Sequence, residues 1–198
     1  MSRHLALFDF DGTITRKDTF IEVIRYKVGT PKLAMGMLAL SPVLVLYKLK
    51  LIRNWRAKEI MFGFFFRNTP ADVFKKLGED FAKEKLPDLI RPSALEKIKS
   101  HQAAGHDIFI VSASAPDWIK PWSDSFGIKV IGTSWEIKDG VITGKIQGKN
   151  CYGPEKKTRI LERVVTSDYD TISVYGDTSG DKEMLTLATH KFYRFFVD

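Results

Sequence analysis

The chain has 198 residues, 44% of them hydrophobic and 28% charged, which is the balance of a folded domain and not of a disordered tail. A single cysteine, Cys151, excludes an internal disulfide framework and fits a reducing compartment. The net charge of +7 is unevenly placed: residues 15–91 hold 16 Lys and Arg against 8 Asp and Glu, while the remainder holds 15 against 16. An excess confined to one segment points to an insertion with its own anionic partner, either a surface or a substrate.

Leu5-Ala6-Leu7-Phe8 reads as a first strand. It is too short for a signal-peptide core, so a cytoplasmic protein is expected. The run ends in Asp9-Phe10-Asp11-Gly12-Thr13. Side chains two apart in a strand point the same way, so Asp9 and Asp11 can reach one spot, and Gly12 lets the chain turn there. Two crowded carboxylates repel, and a divalent cation is the usual remedy. A helix is expected from Asp18 to about Val28, stopped by Gly29-Thr30-Pro31. Residues 33–47 carry no charge, residues 60–66 form a second apolar knot, and Asp72–Leu86 has the pattern of an amphipathic helix.

After Pro92 the rhythm changes. A helix (93–104), a buried strand (108–111) leading into Ser112-Ala113-Ser114, a helix (117–126) and a short strand (129–132) are followed by a hairpin (135–146) around Asp139-Gly140. A helix (156–165), a strand (171–175), a helix (182–188) and a strand (191–197) complete the pattern. Such alternation predicts an α/β fold, a parallel sheet with helices on both faces, whose ligands sit at the carboxyl ends of the strands. Asp9, Ser112 and Asp177 all fall there. His4, His101, His106 and His190 are scattered and show no ligand spacing.

Asp9-Phe10-Asp11-Gly12-Thr13, Ser112, Lys156 and Gly176-Asp177-Thr178-Ser179-Gly180-Asp181 occur in an order that resembles the haloacid dehalogenase (HAD) superfamily of aspartate-nucleophile phosphohydrolases. The resemblance implies a Rossmann-like three-layer core with a parallel sheet, formed by residues 1–14 and 92–198, plus an inserted α-helical cap over residues 15–91. It also implies a phosphoric monoester hydrolase in which Asp9 attacks phosphorus and Asp11 serves as general acid and base. Mg²⁺ would be held by Asp9, Asp11 (through its carbonyl) and Asp177. Ser112, Lys156 and backbone N–H groups near Gly12 and Ala113 would bind the phosphate. Asp181 would support the metal through water or orient Lys156. Lys157, adjacent to Lys156, is the alternative ligand.

An insertion directly after the first strand resembles the phosphoserine-phosphatase-like branch. There the position seven past the second aspartate faces the substrate; here it is Asp18, one methylene shorter than the glutamate of phosphoserine phosphatases. The chain is also similar to phosphatidylglycerophosphatase C-like proteins, in the Asp18 and Phe20 pair, the uncharged cap run, the Gly-x-Glu-Lys segment ending at Lys156 and the last acidic motif. The resemblance therefore implies a phosphorylated small molecule or a lipid phosphate as substrate, the latter with peripheral contact to an anionic membrane at its inner face. The uncharged run of 15 residues is shorter than the ~20 that span a bilayer and is interrupted by Pro42. It reads as a buried helix pair or as a segment at an anionic interface flanked by Lys32, Lys48, Lys50 and Arg53. A non-catalytic lipid-binding module is the third reading, opposed by the complete acidic set. Nucleic acid is not expected, because the basic excess sits among aliphatic runs.

Overall fold

The computed structural model describes residues 3–198. Its elements, in chain order, are β1 (His4–Phe8), α1 (Thr19–Ala39), α2 (Ser41–Lys48), α3 (Asn54–Phe66), α4 (Ala71–Glu84), α5 (Leu86–Leu89), α6 (Pro92–Ala103), β2 (Asp107–Val111), α7 (Pro116–Ser123), β3 (Lys129–Ile131), β4 (Trp135–Lys138), β5 (Val141–Ile146), α8 (Pro154–Leu161), β6 (Thr171–Gly176), α9 (Lys182–Leu185) and β7 (His190–Tyr193). Five strands form one parallel sheet in the order β3-β2-β1-β6-β7, and β4 and β5 form a separate antiparallel hairpin. Its turn residues Asp139 and Gly140 both take positive φ, 50° and 76°, as a two-residue hairpin requires.

β1 is central, and its four apolar residues are fully buried. Leu5 and Leu7 face a core with Ile160 and Met184 of α8 and α9; Ala6 and Phe8 face the other side, with Ile98 and Trp118 of α6 and α7. Burial on both faces explains why β1 reads as a continuous apolar run and not as an alternating one. The parallel sheet flanked by helices is the expected α/β fold.

The helical segment from α1 to α5 leaves and rejoins the rest of the chain at one place. Arg16 donates its N–H to Leu89 O at 2.8 Å, Arg91 to Ile14 O at 2.8 Å, and Thr15 bridges Ile90. The segment is tied to the hairpin as well: Asn68 N–H donates to Ile142 O and Ile142 N–H to Thr69 O, each at 2.9 Å, while Phe62 of α3 stacks on Trp135.

The expected stop at Gly29 is a kink and not an end. Gly29 takes φ 79°, ψ 161°, and the helix resumes at once, with Pro31 accommodated in the new first turn. The uncharged run is split again at Leu40, where α1 and α2 meet at 61°. Leu33, Gly36 and Leu40 are buried, whereas Met35 and Leu38 are 71% and 76% exposed and α2 has no buried residue. The reading of this run as a buried pair therefore holds for one face only. No single helix among the described residues is long and apolar enough to cross a membrane, although the bent α1–α2 pair passes on length and composition.

Candidate active site

Asp9 leaves β1 at its carboxyl end, with its N–H donated to Tyr175 O of β6 at 2.9 Å, which fixes the backbone beneath the carboxylate. The carboxylate is nearly buried and pairs through Oδ1 with Lys156 Nζ. Lys156, in the first turn of α8, also donates to Asp181 Oδ1 at 2.6 Å. Burial alone would lower the Lys156 pKa, but Asp9 and Asp181 raise it above its ordinary value, so it is a fixed cation. Lys157 points elsewhere, to the Thr186 hydroxyl at 2.9 Å, so Lys156 is the lysine that reaches the Asp9 carboxylate.

Asp181 holds its other oxygen, Oδ2, against the N–H groups of Asp177 and Thr178 at 3.1 and 3.0 Å and against the Thr178 hydroxyl. It thus caps the short helical turn after β6 while orienting Lys156. Asp177 accepts a hydrogen bond from Thr13 Oγ1 at 2.9 Å. Its carboxylate sits directly over Gly12, where φ is 85° and an added Cβ would collide with it. Only glycine fits, on both counts.

Ligand atoms of Asp9, Asp177 and Asp181 lie within 4.8 Å of one another. Three carboxylates against one ammonium leave two negative charges in surplus. Burial pushes the Asp9 carboxyl well above the usual range, against the pull of Lys156, and raises Asp177 too. A hard divalent cation with oxygen ligands fits that deficit and that donor set.

Asp11 is set apart from this cluster. Thr19, at the start of α1, donates its N–H and its hydroxyl to Oδ1, at 2.7 and 2.6 Å, and Ser112 Oγ donates to Oδ2 at 3.2 Å. Ser112 thus helps to hold the Asp11 carboxylate. Its hydroxyl also accepts the Ser114 N–H at 2.9 Å, and it is Ala113 and Ser114 that line the cleft.

That cleft has a volume of about 320 Å³. Asp9, Asp11 and Lys156 form one wall; Phe20, Leu44 and Met61 of α1, α2 and α3 form the other. Asp18 lines the rim but is also the N-cap of α1, accepting the Phe20 N–H at 2.9 Å. Although Asp18 is exposed at the rim, desolvation by the surrounding cleft pushes its carboxyl up to about 6, with Asp11 adding and Lys58 opposing. Lys58 of α3 reaches across to Ala113 O at 2.6 Å and lies 5.1 Å from the centre of the Phe20 ring. Burial lowers its pKa, and Asp11 and Asp18 counteract that.

Thr13, Thr19, Thr178 and Lys58 were not singled out from the sequence. The threonines stand within or just after the acidic motifs, and their positions were the available signal. Lys58 was visible only as part of the basic excess.

A family model for haloacid dehalogenase-like hydrolases matches residues 6–186. The chain belongs to this family. Protein CicA of Caulobacter vibrioides is 35% identical over 194 residues, covering 97% of this chain and 86% of that protein. A probable phosphatase of Mycobacterium tuberculosis is 25% identical over 211 residues, covering 96% and 68%. Among solved structures, a protein of unknown function from Bordetella pertussis Tohama I superposes with a TM-score of 0.83 at 22% identity, covering 96% of this chain and 89% of that one. A substrate-bound phosphoserine phosphatase superposes with a TM-score of 0.64 at 17% identity, covering 98% and 86%. These last two establish a shared fold. Family membership, with the phosphatase relative, bears out the expected phosphoric monoester hydrolase.

Proposed function

We propose that the chain is a Mg²⁺-dependent phosphomonoesterase working through an aspartyl-phosphate, with residues 15–91 as a cap over a core of residues 1–14 and 92–198. The observation that carries this reading is the division of labour at the carboxyl end of β1: Asp9 is paired with a fixed ammonium, and Asp11 is held apart by Thr19 and Ser112. The Asp9 carboxylate attacks phosphorus as the bond to the leaving oxygen breaks, and Asp11 gives that oxygen its proton. Asp11 then takes a proton from the water that attacks the aspartyl-phosphate, and free phosphate leaves. Lys156 and the backbone near Gly12 and Ala113 neutralise phosphate oxygens, and Ser112 joins them by turning its hydroxyl from Asp11. Mg²⁺, held by Asp9, the Asp11 carbonyl and Asp177, would supply further neutralisation of those oxygens.

The substrate we favour is a lipid phosphate at an anionic membrane surface. The helical side of the cleft presents Phe20, Leu44 and Met61 beside the polar Asp18, Asn54 and Lys58. Beyond it, Met35, Leu38, Val45, Leu46, Leu49 and Leu51 are exposed on α1, α2 and the turn after α2. Lys32, Lys48, Lys50 and Arg53 flank them. Apolar side chains ringed by cations are the composition of an interfacial segment. Asp18 and Lys58 favour a second reading, a small soluble phosphate ester with a polar or zwitterionic end that meets both charges.

Phosphate release from p-nitrophenyl phosphate in Mg²⁺ tests the chemistry: Asp9→Asn abolishes it, and activity that survives the change overturns the mechanism. Co-sedimentation with vesicles tests the surface. Binding that rises with anionic lipid and weakens with salt supports the lipid reading; binding indifferent to lipid charge, or none, leaves the soluble ester.

A further inference from the structure

The four histidines have no common spacing in the sequence, yet three of them meet in space, which corrects the impression that they are scattered. His4 opens β1, His106 immediately precedes β2, and His101 lies in the last turn of α6 above them. β1 and β2 pair in parallel with Leu5 opposite Asp107, which places His4 and His106 side by side. Their rings stack at 4.0 Å between centres, 11° from parallel. His101 Nδ1 stands 2.8 Å from His106 Nδ1. This is the amino end of the sheet, at the opposite edge from Asp9 and Asp177.

We propose that His4, His101 and His106 form a binding site for a late first-row divalent cation, Zn²⁺ above all. One nitrogen from each ring lies within 4.8 Å of one from each of the others. A tetrahedral Zn²⁺ with Zn–N of ~2.0–2.1 Å needs nitrogens a little over ~3 Å apart and each ring plane aimed at the ion, so His106 has to turn out of its stack on His4 to close the site. Two of the rings are already oriented from behind. His101 Nε2 is 3.0 Å from Tyr175 OH, and His4 Nε2 is 2.9 Å from Ser173 Oγ, both on the neighbouring strand β6. Each contact leaves the ring's other nitrogen for a ligand, the arrangement by which protein hydroxyls and carbonyls set the tautomer of metal-bound imidazoles.

The hydrogen bond between His101 and His106 contains one proton, on one Nδ1. Metal binding at that nitrogen moves the proton to the other nitrogen of the same ring. His4 and His106 are half-buried, which gives the ion a path in and leaves a coordination position for water. Among the described residues no carboxylate joins the three histidines in the cluster. An all-imidazole donor set selects Zn²⁺ or Ni²⁺ over the Mg²⁺ that suits the aspartate cluster. Lys97, on the same helix as His101, is the nearby cation that opposes binding. Because the ligands come from β1, α6 and the approach to β2, a bound ion cross-links three elements of the core.

The test uses the full chain without a polyhistidine tag, in excess Mg²⁺, titrated with Zn²⁺ by calorimetry and with Co²⁺ by its visible absorption. The expected result is one Zn²⁺ per chain, a rise in Tm on binding, and a Co²⁺ spectrum of low coordination number. His106→Ala and His4→Ala, both at half-exposed positions, each weaken Zn²⁺ binding at least ten-fold and remove the Tm rise, with phosphate release unchanged. Asp9→Asn leaves Zn²⁺ binding intact, which separates this site from the proposed catalytic one. If Zn²⁺ binding is lost in Asp9→Asn but retained in His106→Ala, or if wild-type chain takes up no stoichiometric Zn²⁺, the proposal is overturned.

Discussion

Thr19 grips Asp11 twice, donating its backbone N–H at 2.7 Å and its hydroxyl at 2.6 Å to the same carboxylate oxygen. The first turn of the helical segment therefore sets the orientation of the proposed acid/base. Thr19→Val keeps the N–H bond and loses the hydroxyl. It should lower kcat for phosphate release roughly ten- to a hundred-fold, less than the full ~10²–10⁴ of a positioned acid/base because the N–H bond to Asp11 remains, with a smaller change in KM. Thr19→Ser should recover most of the loss. Equal rates for the valine and serine variants would remove Thr19 from the mechanism.

Lys156 is the only cation hydrogen-bonded to both the Asp9 and Asp181 carboxylates among the described residues, and all three side chains are almost fully buried. Lys156→Met leaves two buried carboxylates without their counter-ion, and removing one partner of a buried pair costs ~3–5 kcal/mol. Urea unfolding should show a loss of that order together with loss of hydrolysis. Adding Asp181→Asn to Lys156→Met should return part of the stability but none of the activity. A loss too small to measure in the single variant would contradict the pairing.

Gly12 lies beneath the Asp177 carboxylate with a left-handed backbone. Gly12→Ala should cost ~1–2 kcal/mol from the backbone conformation alone, and more from the displacement of Asp177. The Mg²⁺ concentration for half-maximal activity should rise with it. An alanine variant with unchanged Mg²⁺ dependence would separate Asp177 from the metal.

The Asp18 carboxyl is pushed up to about 6, from an ordinary carboxylate value of about 4. Between those values the folded chain binds the proton and the unfolded chain does not, so Asp18 contributes more to stability as pH falls from 6 towards 4 and its ionised form is a burden at pH 7. Asp18→Asn retains a good N-cap. Its Tm should exceed that of the wild type at pH 7–8, and the difference should shrink through pH 6 and vanish near pH 4. A difference that does not vary with pH would mean that Asp18 titrates normally.

The strand ends were legible because the acidic motifs sit beside short, wholly apolar runs, and a parallel sheet buried on both faces produces such runs. The hairpin at Asp139-Gly140 was legible for a similar local reason. What could not be read came from contacts between distant segments. The hydrogen bond from Ser112 to Asp11 spans 101 positions of sequence. Lys58 crosses from α3 to Ala113, and nothing around it in the sequence distinguishes it from its basic neighbours. The histidines obey no ligand spacing because they arrive from three elements. Gly29-Thr30-Pro31 marked a break, but the same proline that ends one helix is well placed to begin the next.

The bridge between Thr15 and Ile90 has a consequence for how such a chain can change. Everything from α1 to α5 begins and ends at neighbouring points, so the sheet experiences those helices as it would a short loop. The entropy of closing a loop grows only slowly with its length. Chain entropy therefore sets little limit on the length of these helices; the packing of α3 on the hairpin and the reach of Lys58 to Ala113 are what a change of length has to preserve. Thr19 adds a further condition: any replacement segment has to offer Asp11 an equivalent grip.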